Sequence, residues 1–136
     1  MWDIKFRIPT ILKVIKNLKV DSAACPDNIP TSIIKNCAPE PAPIFSKIFK
    51  LSYTCGIFPI SLGSWKITRI QPITKKGDSS NVVNYRPIAI TSVLSKIMEK
   101  VINEQVLHHL ESNNLIHDRQ YAFRQFQSTG DILANI

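Results

Sequence analysis

The residues with most to offer chemically lie in ITKKGDSSNVVNYRPIAI, Ile73 to Ile90. Lys75 and Lys76 precede a Gly77-Asp78 turn, and Arg86 stands beyond a short polar loop, locked before Pro87. If the segment closes as a hairpin, the three cations can converge. Lysine supplies a compact point charge and arginine a planar fork of donors. Such a set suits a triphosphate, on which arginine can hold two oxygens at once. The competing reading is a solvated loop tip, where Lys, Gly, Asp and Ser are common.

A second cluster is QYAFRQF, Gln120 to Phe126, in which Tyr121, Phe123 and Phe126 alternate with Arg119 and Arg124. Aromatic faces and guanidinium planes stack on nucleobases, and arginine also pairs with phosphate. Core aromatics beside surface arginines would look the same. Carboxylates are scattered: Asp27, Asp78, Asp118 and Asp131 stand apart, and no strand of apolar residues carries one. Phosphoryl transfer by two metals needs acidic groups converging on both cations. Cys25, Cys37 and Cys55 are odd in number and form no CxxC pair, so they read as free thiols in a reducing compartment, without a zinc site. His108 and His109 have no carboxylate or thiol at ligand spacing and read as surface residues favoured by a helix C-terminus.

The elements that must position these groups follow from periodicity. Pro9 can open a first helix, with Ile8, Ile11, Leu12, Ile15 and Leu18 on one face and Lys13, Lys16 and Lys19 on a solvated one. Pro26, Asp27, Asn28 and Pro30 punctuate a turn, and Pro30 can lead a short helix, TSIIKNC. Ile44, Phe45, Ile48, Phe49 and Ser52 mark a third helix that Gly56 is placed to end. Trp65 to Thr74 reads as a strand, and Tyr85 to Ile90 as its return, at an edge or irregular because Pro87 lacks an N–H. Ser92 can cap a long helix with an apolar stripe from Val93 to Leu110, stopped at Asn113-Asn114. Ser128, with Asp131 three residues on, resembles the start of a last helix. The order is α+β with a minority of strand.

Composition agrees with one domain: 136 residues, 44% hydrophobic, with 17 Lys+Arg against 10 Asp+Glu and a net charge of +7. The basic balance suggests an anionic partner. No apolar stretch is long enough to span a bilayer, and MWDIKFRIPT lacks the pattern of a signal peptide. An intracellular protein, nuclear or cytoplasmic, is expected.

Four segments, DSAACPDNIPTSIIKNC, GIFPISLGSWKITRIQPITKKGD, NYRPIAITSVLSKIMEKVI and QYAFRQFQST, occur in the order found in reverse transcriptases of non-LTR (LINE, jockey-like) retrotransposons. The resemblance runs from about Leu18 to the end. It implies the mainly helical fingers subdomain of a right-hand polymerase, carrying a β-hairpin, with palm and thumb missing. Residues 1–17 would be an N-terminal extension with a first helix, and 18–136 a partial reverse transcriptase domain reaching the fingers–palm junction.

The resemblance also implies roles. Lys75 or Lys76 and Arg86 match the basic residues that grip the triphosphate of the incoming nucleotide. The Pro26-Asp27 turn and its helix match a segment along the template. Tyr121, Phe123 and Arg124 match the motif at the fingers–palm junction. Cys25, Asn28 and Ala122 stand where the family usually has glycine, and Thr74 where proline often precedes the lysines. The family's catalytic aspartates fall downstream of Ile136. The chain alone is therefore expected to be inactive and to need no cofactor, Mg²⁺ belonging to the full-length parent. RNA or DNA template and dNTP are the implied partners. Apolar faces of the Ser92–Asn113 helix and the last helix are expected to be uncovered, favouring self-association. Two alternatives stand beside this reading: a retained nucleic-acid-binding module without chemistry, and a non-functional remnant of a decayed element.

Overall fold

A computed structural model describes residues 3–20, 29–58, 67–117, 119, 120, 124 and 130. The chain divides into two compact units, Met1–Ile102 and Asn103–Ile136. The described residues form α1 (Ile8–Lys16), α2 (Thr31–Asn36), α3 (Ala42–Cys55), β1 (Arg69–Thr74), β2 (Tyr85–Ile90) and α4 (Val93–Ser112). This is mixed helix with one small antiparallel sheet, compatible with the α+β expectation. Among the described residues no helix is long and apolar enough to cross a membrane.

The first unit is built around one core. Pro9 lies in the first turn of α1, where its missing N–H would have had no helical partner. The helix buries Ile11, Val14 and Ile15 and leaves Lys13 and Lys16 outside. Ile8, placed on the inner face by spacing, is exposed, and Val14 takes the inner position instead. The residues ahead of α1 contribute Ile4 and Phe6, an alternating pair of buried side chains. Phe6 lies 5.8 Å from the rings of both Phe49 and Tyr53, and its carbonyl accepts a hydrogen bond from the Ser46 hydroxyl. Residues from the first seventeen therefore share a core with α2, α3 and α4.

Helix α3 faces this core with Ala42, Phe49 and Ser52. It ends where sequence placed its end: Gly56 takes φ 65°, a left-handed value that glycine adopts without a Cβ clash. The Ile57 N–H then reaches back to the Ser52 carbonyl (3.2 Å) and the Gly56 N–H to that of Tyr53 (3.4 Å). These are the paired bonds of a Schellman motif. Helix α4 ends the same way. Asn114 takes φ 51°, Leu115 N–H donates to the Leu110 carbonyl (2.8 Å) and Asn114 N–H to that of Glu111 (3.1 Å).

At its other end α4 is capped by Ser92. The Ser92 hydroxyl accepts from the Ser95 N–H (3.2 Å), and the Ser95 hydroxyl donates back to the Ser92 carbonyl (3.0 Å). Val93, Leu94, Ile97, Met98 and Val101 are buried behind that cap. The apolar stripe expected to lie uncovered is thus covered over its first three turns, while Val106 further on is exposed. The large exposed aliphatics cluster elsewhere, at Ile44 and Leu51 on α3 and along the hairpin. The final helix expected from Ser128 lies outside the described residues, apart from Gly130, which is helical.

Candidate nucleic-acid interface

The hairpin pairs Arg69 with Ile90, Gln71 with Ile88, Ile73 with Arg86 and Thr74 with Tyr85. The strand starts later than the β-branched run suggested: Ile67 and Thr68 are not paired, and Trp65 lies outside the described residues. Beyond the ladder the Lys75 N–H donates to the Asn84 carbonyl at 2.6 Å. Antiparallel ladders alternate hydrogen-bonded and non-hydrogen-bonded pairs. Counting back from Lys75 and Asn84, the pairs 73/86, 71/88 and 69/90 are hydrogen-bonded, and 74/85, 72/87 and 70/89 are not.

Side chains of one class share a face. One face therefore carries Arg69, Gln71, Ile73 and Lys75 from β1 and its extension, with Arg86, Ile88 and Ile90 from β2. Lys75 and Arg86 are diagonal neighbours on that face. Side chains so placed lie about 7–8 Å apart at their bases, within reach of one multiply charged anion. Lys76 sits in the bend beyond the ladder, where strand alternation does not assign it a face. Lys75, Lys76 and Arg86 are all exposed.

The loop between the strands is organised by its own polar groups. The Asp78 carboxylate accepts from the Ser80 hydroxyl (2.6 Å) and from the Ser80 N–H (2.9 Å). These bonds, the hydroxyl's first, favour the ionised form and hold the Asp78 carboxyl below its ordinary value. The Asp78 carbonyl accepts from Asn84 Nδ2 (2.7 Å), and Tyr85 donates its phenolic proton to the Ser79 carbonyl (2.7 Å). Asn81 caps the short 3₁₀ turn Val82–Asn84 by accepting from the Val83 N–H (3.0 Å). Lys75 Nζ donates to the Val83 carbonyl (3.0 Å), so one of the candidate phosphate ligands also braces the loop. An ammonium has three donors, and one such bond leaves others for a ligand.

A groove of about 380 Å³ opens on the same face, lined by Gln71, Ile73, Ile88, Ala89, Ile90 and Lys96. Its floor is aliphatic and its one charged member is the cation Lys96. Lys96 escaped sequence reasoning. The signal for it was the Ser92 cap: a residue four on from a cap lies in the first turn, and the Lys96 N–H donates to the Ser92 carbonyl (3.2 Å), which places it next to the end of β2.

In the second unit Arg124 is half-buried and lines a cavity of about 600 Å³ with Leu110, Glu111, Asn114, Leu115, Ile116 and His117. His117 Nδ1 accepts from the Arg119 N–H (3.1 Å). Pro26, Asp27, Tyr121 and Phe123 lie outside the described residues. Of the sequence-derived set, the structure brings together Lys75 and Arg86. Among the described residues no group of three or more His, Cys, Asp or Glu could hold a metal ion. Cys37 and Cys55 are free and exposed.

The chain is 27% identical over 124 residues to the probable RNA-directed DNA polymerase from transposon BS of Drosophila melanogaster. It resembles a transposon reverse transcriptase. The match covers 90% of this chain and 13% of the polymerase, so the chain spans a small part of that relative's length. No family profile matches. In a chain of 136 residues, a reverse-transcriptase-like stretch of that extent necessarily includes the hairpin and the start of α4.

Proposed function

We propose that this chain is the fingers region of a non-LTR retrotransposon reverse transcriptase. Its hairpin grips the triphosphate of an incoming deoxynucleotide through Lys75, Lys76 and Arg86. The Pro26-Asp27 segment and the Tyr121, Phe123 and Arg124 cluster lie along the template. The observation that carries this reading is the placement of Lys75 and Arg86 on one exposed hairpin face, within a stretch similar to a transposon polymerase. Binding here is electrostatic and bidentate: arginine forks onto two phosphate oxygens while lysine neutralises a third.

The Mg²⁺ that such polymerases use finds no fitting donor set among the described residues. Asp78 is the one carboxylate in the hairpin, and its oxygens are engaged by Ser80. No step through the metal is assigned to this chain. Chemistry belongs to carboxylates of the parent enzyme, and the chain alone is expected to give no primer extension on an RNA template with Mg²⁺ or Mn²⁺. Extension above background would overturn that part of the reading.

The triphosphate grip is tested with a fluorescent deoxyadenosine triphosphate. Inorganic tripolyphosphate should compete with it, and deoxyadenosine should not. Replacing Lys75, Lys76 and Arg86 together by alanine should weaken binding at least about tenfold, since hydrogen bonds to charged groups are worth about 1.5–3 kcal/mol each. Unchanged binding would sink the grip. A net charge of +7 favours one second reading, a nucleic-acid-binding module without chemistry. Salt-sensitive binding of single-stranded RNA that survives the triple substitution, with no triphosphate binding, would select it.

A further inference from the structure

The hairpin holds two prolines directly opposite each other, Pro72 and Pro87. Their pair is one of the non-hydrogen-bonded ones, so the nitrogen of each points away from the partner strand, toward the outer edge of the hairpin. That explains why two prolines sit mid-strand at no cost to the ladder. It also has a consequence at the edges. A strand edge offers outward N–H and C=O groups as a template for another strand. On β1 the outward positions are Ile70, Pro72 and Thr74, and the central donor is missing. On β2 they are Tyr85, Pro87 and Ala89. Again the central donor is missing, and the Tyr85 N–H is already given to the Val82 carbonyl.

Arg69 and Arg86 stand in hydrogen-bonded pairs, so the cations within the strands do not occupy the outward backbone positions. β1 is exposed along its length, and β2 is exposed from Arg86 to Ala89. Ile70 and Ile88 are open aliphatics, and both strands are rich in β-branched residues. An exposed two-stranded ribbon with open aliphatic positions is a template on which a third strand can pair. We propose that Pro72 and Pro87 act together as edge guards: each closes one side of the hairpin to strand addition. The hairpin then meets partners through side chains on its faces, as a phosphate-bearing ligand requires, and neither a second copy of this chain nor an extended peptide can lengthen the sheet. This inference rests on register and hydrogen bonding and does not depend on the nucleotide reading.

The test restores the missing donors. Single variants Pro72→Val and Pro87→Val each open one edge, and the double variant opens both. By sedimentation velocity, each single variant should add a step that stops at paired edges, and the double variant should assemble open-endedly. Amide exchange locates the contact. In the variants the outward amides of Ile70, Thr74 and Ala89 should slow at least about tenfold with rising concentration, because new sheet bonds protect them. In the parent chain they should exchange at a concentration-independent rate, even if it associates through another surface. Parent-like exchange in all three variants overturns the proposal, as does concentration-dependent protection in the parent. The inward amides of Gln71, Ile73, Arg86 and Ile88 report whether the hairpin still forms. The pair Pro72→Ala and Pro87→Ala repeats the test with a smaller side chain. Loss of inward protection in both series would show that the prolines hold the hairpin together, which also overturns an edge-guard role.

Discussion

Gly77 turns the chain at the lysine end of the hairpin with φ 136°, a value that side chains with a Cβ rarely tolerate. A Cβ there would also lie 3.1 Å from Asn84 Nδ2. That amide cannot easily yield, because it donates to the Asp78 carbonyl at 2.7 Å. Gly77→Ala should therefore destabilise the loop by about 1–3 kcal/mol, the usual cost of a forced backbone conformation. Faster amide exchange at Lys75 and Asn84 should accompany weaker triphosphate binding, because the loop fixes where Lys75 ends. Parent-like exchange would show that the loop relaxes around the new methyl. The KKGD stretch announced such a turn in sequence, since Gly-Asp is turn chemistry. The bonds that fix it were not legible. That Lys75 would brace the Val83 carbonyl, or Tyr85 reach the Ser79 carbonyl, depends on loop geometry that residue type alone does not specify.

At the scale of elements, the ends were more legible than the faces. Gly56 and Ser92 were placed as a helix stop and a helix cap by residue type, and both do that work through backbone-specific bonds. Such signals are local, so sequence carries them. Faces depend on what packs where. The first helix turned Val14 inward, while Ile8, in its first turn, stays exposed although it shares a face with Ile15. The Trp65–Thr74 run gave a six-residue strand beginning only at Arg69, since pairing length is set by the partner strand. Pro87 correctly marked an edge, and what sequence did not show is that Pro72 would stand opposite it. The cap gives a prediction. Ser92 is fully buried, so Ser92→Ala leaves the Ser95 N–H without its acceptor and out of reach of water. A loss of about 1 kcal/mol, up to about 2, is expected in denaturant unfolding, with Ser92→Thr recovering part of it. No loss would mean that the Ser95 N–H finds another acceptor.

For the molecule as a whole, stability concentrates in one cluster that joins Ile4 and Phe6 with α1, α2, α3 and the first half of α4. Phe49 is its largest fully buried side chain. Its ring packs 5.8 Å from those of Phe6 and Phe45. Phe49→Ala should cost about 3–5 kcal/mol. Domains are commonly stable by only about 5–15 kcal/mol, so this one change should abolish or sharply lower the cooperative transition of the first unit. A thermal midpoint within a few degrees of the parent would show that the core is elsewhere. The similarity to a transposon polymerase was legible from motif order, as was the helix-rich architecture with one hairpin. The sharing of a core by the first residues and the last long helix was not, because nothing local marks a contact between segments so far apart.

That sharing has a bearing on how the protein is made. A ribosome adds about 5–20 residues per second, so the stretch from Phe6 to Val101 takes on the order of 5–20 s to emerge. Through that interval the cluster to which Ile4 and Phe6 belong lacks its α4 members. Until then Ile4 and Phe6 have only the α1, α2 and α3 members of that cluster to pack with, so the core cannot close before Val101 has been made.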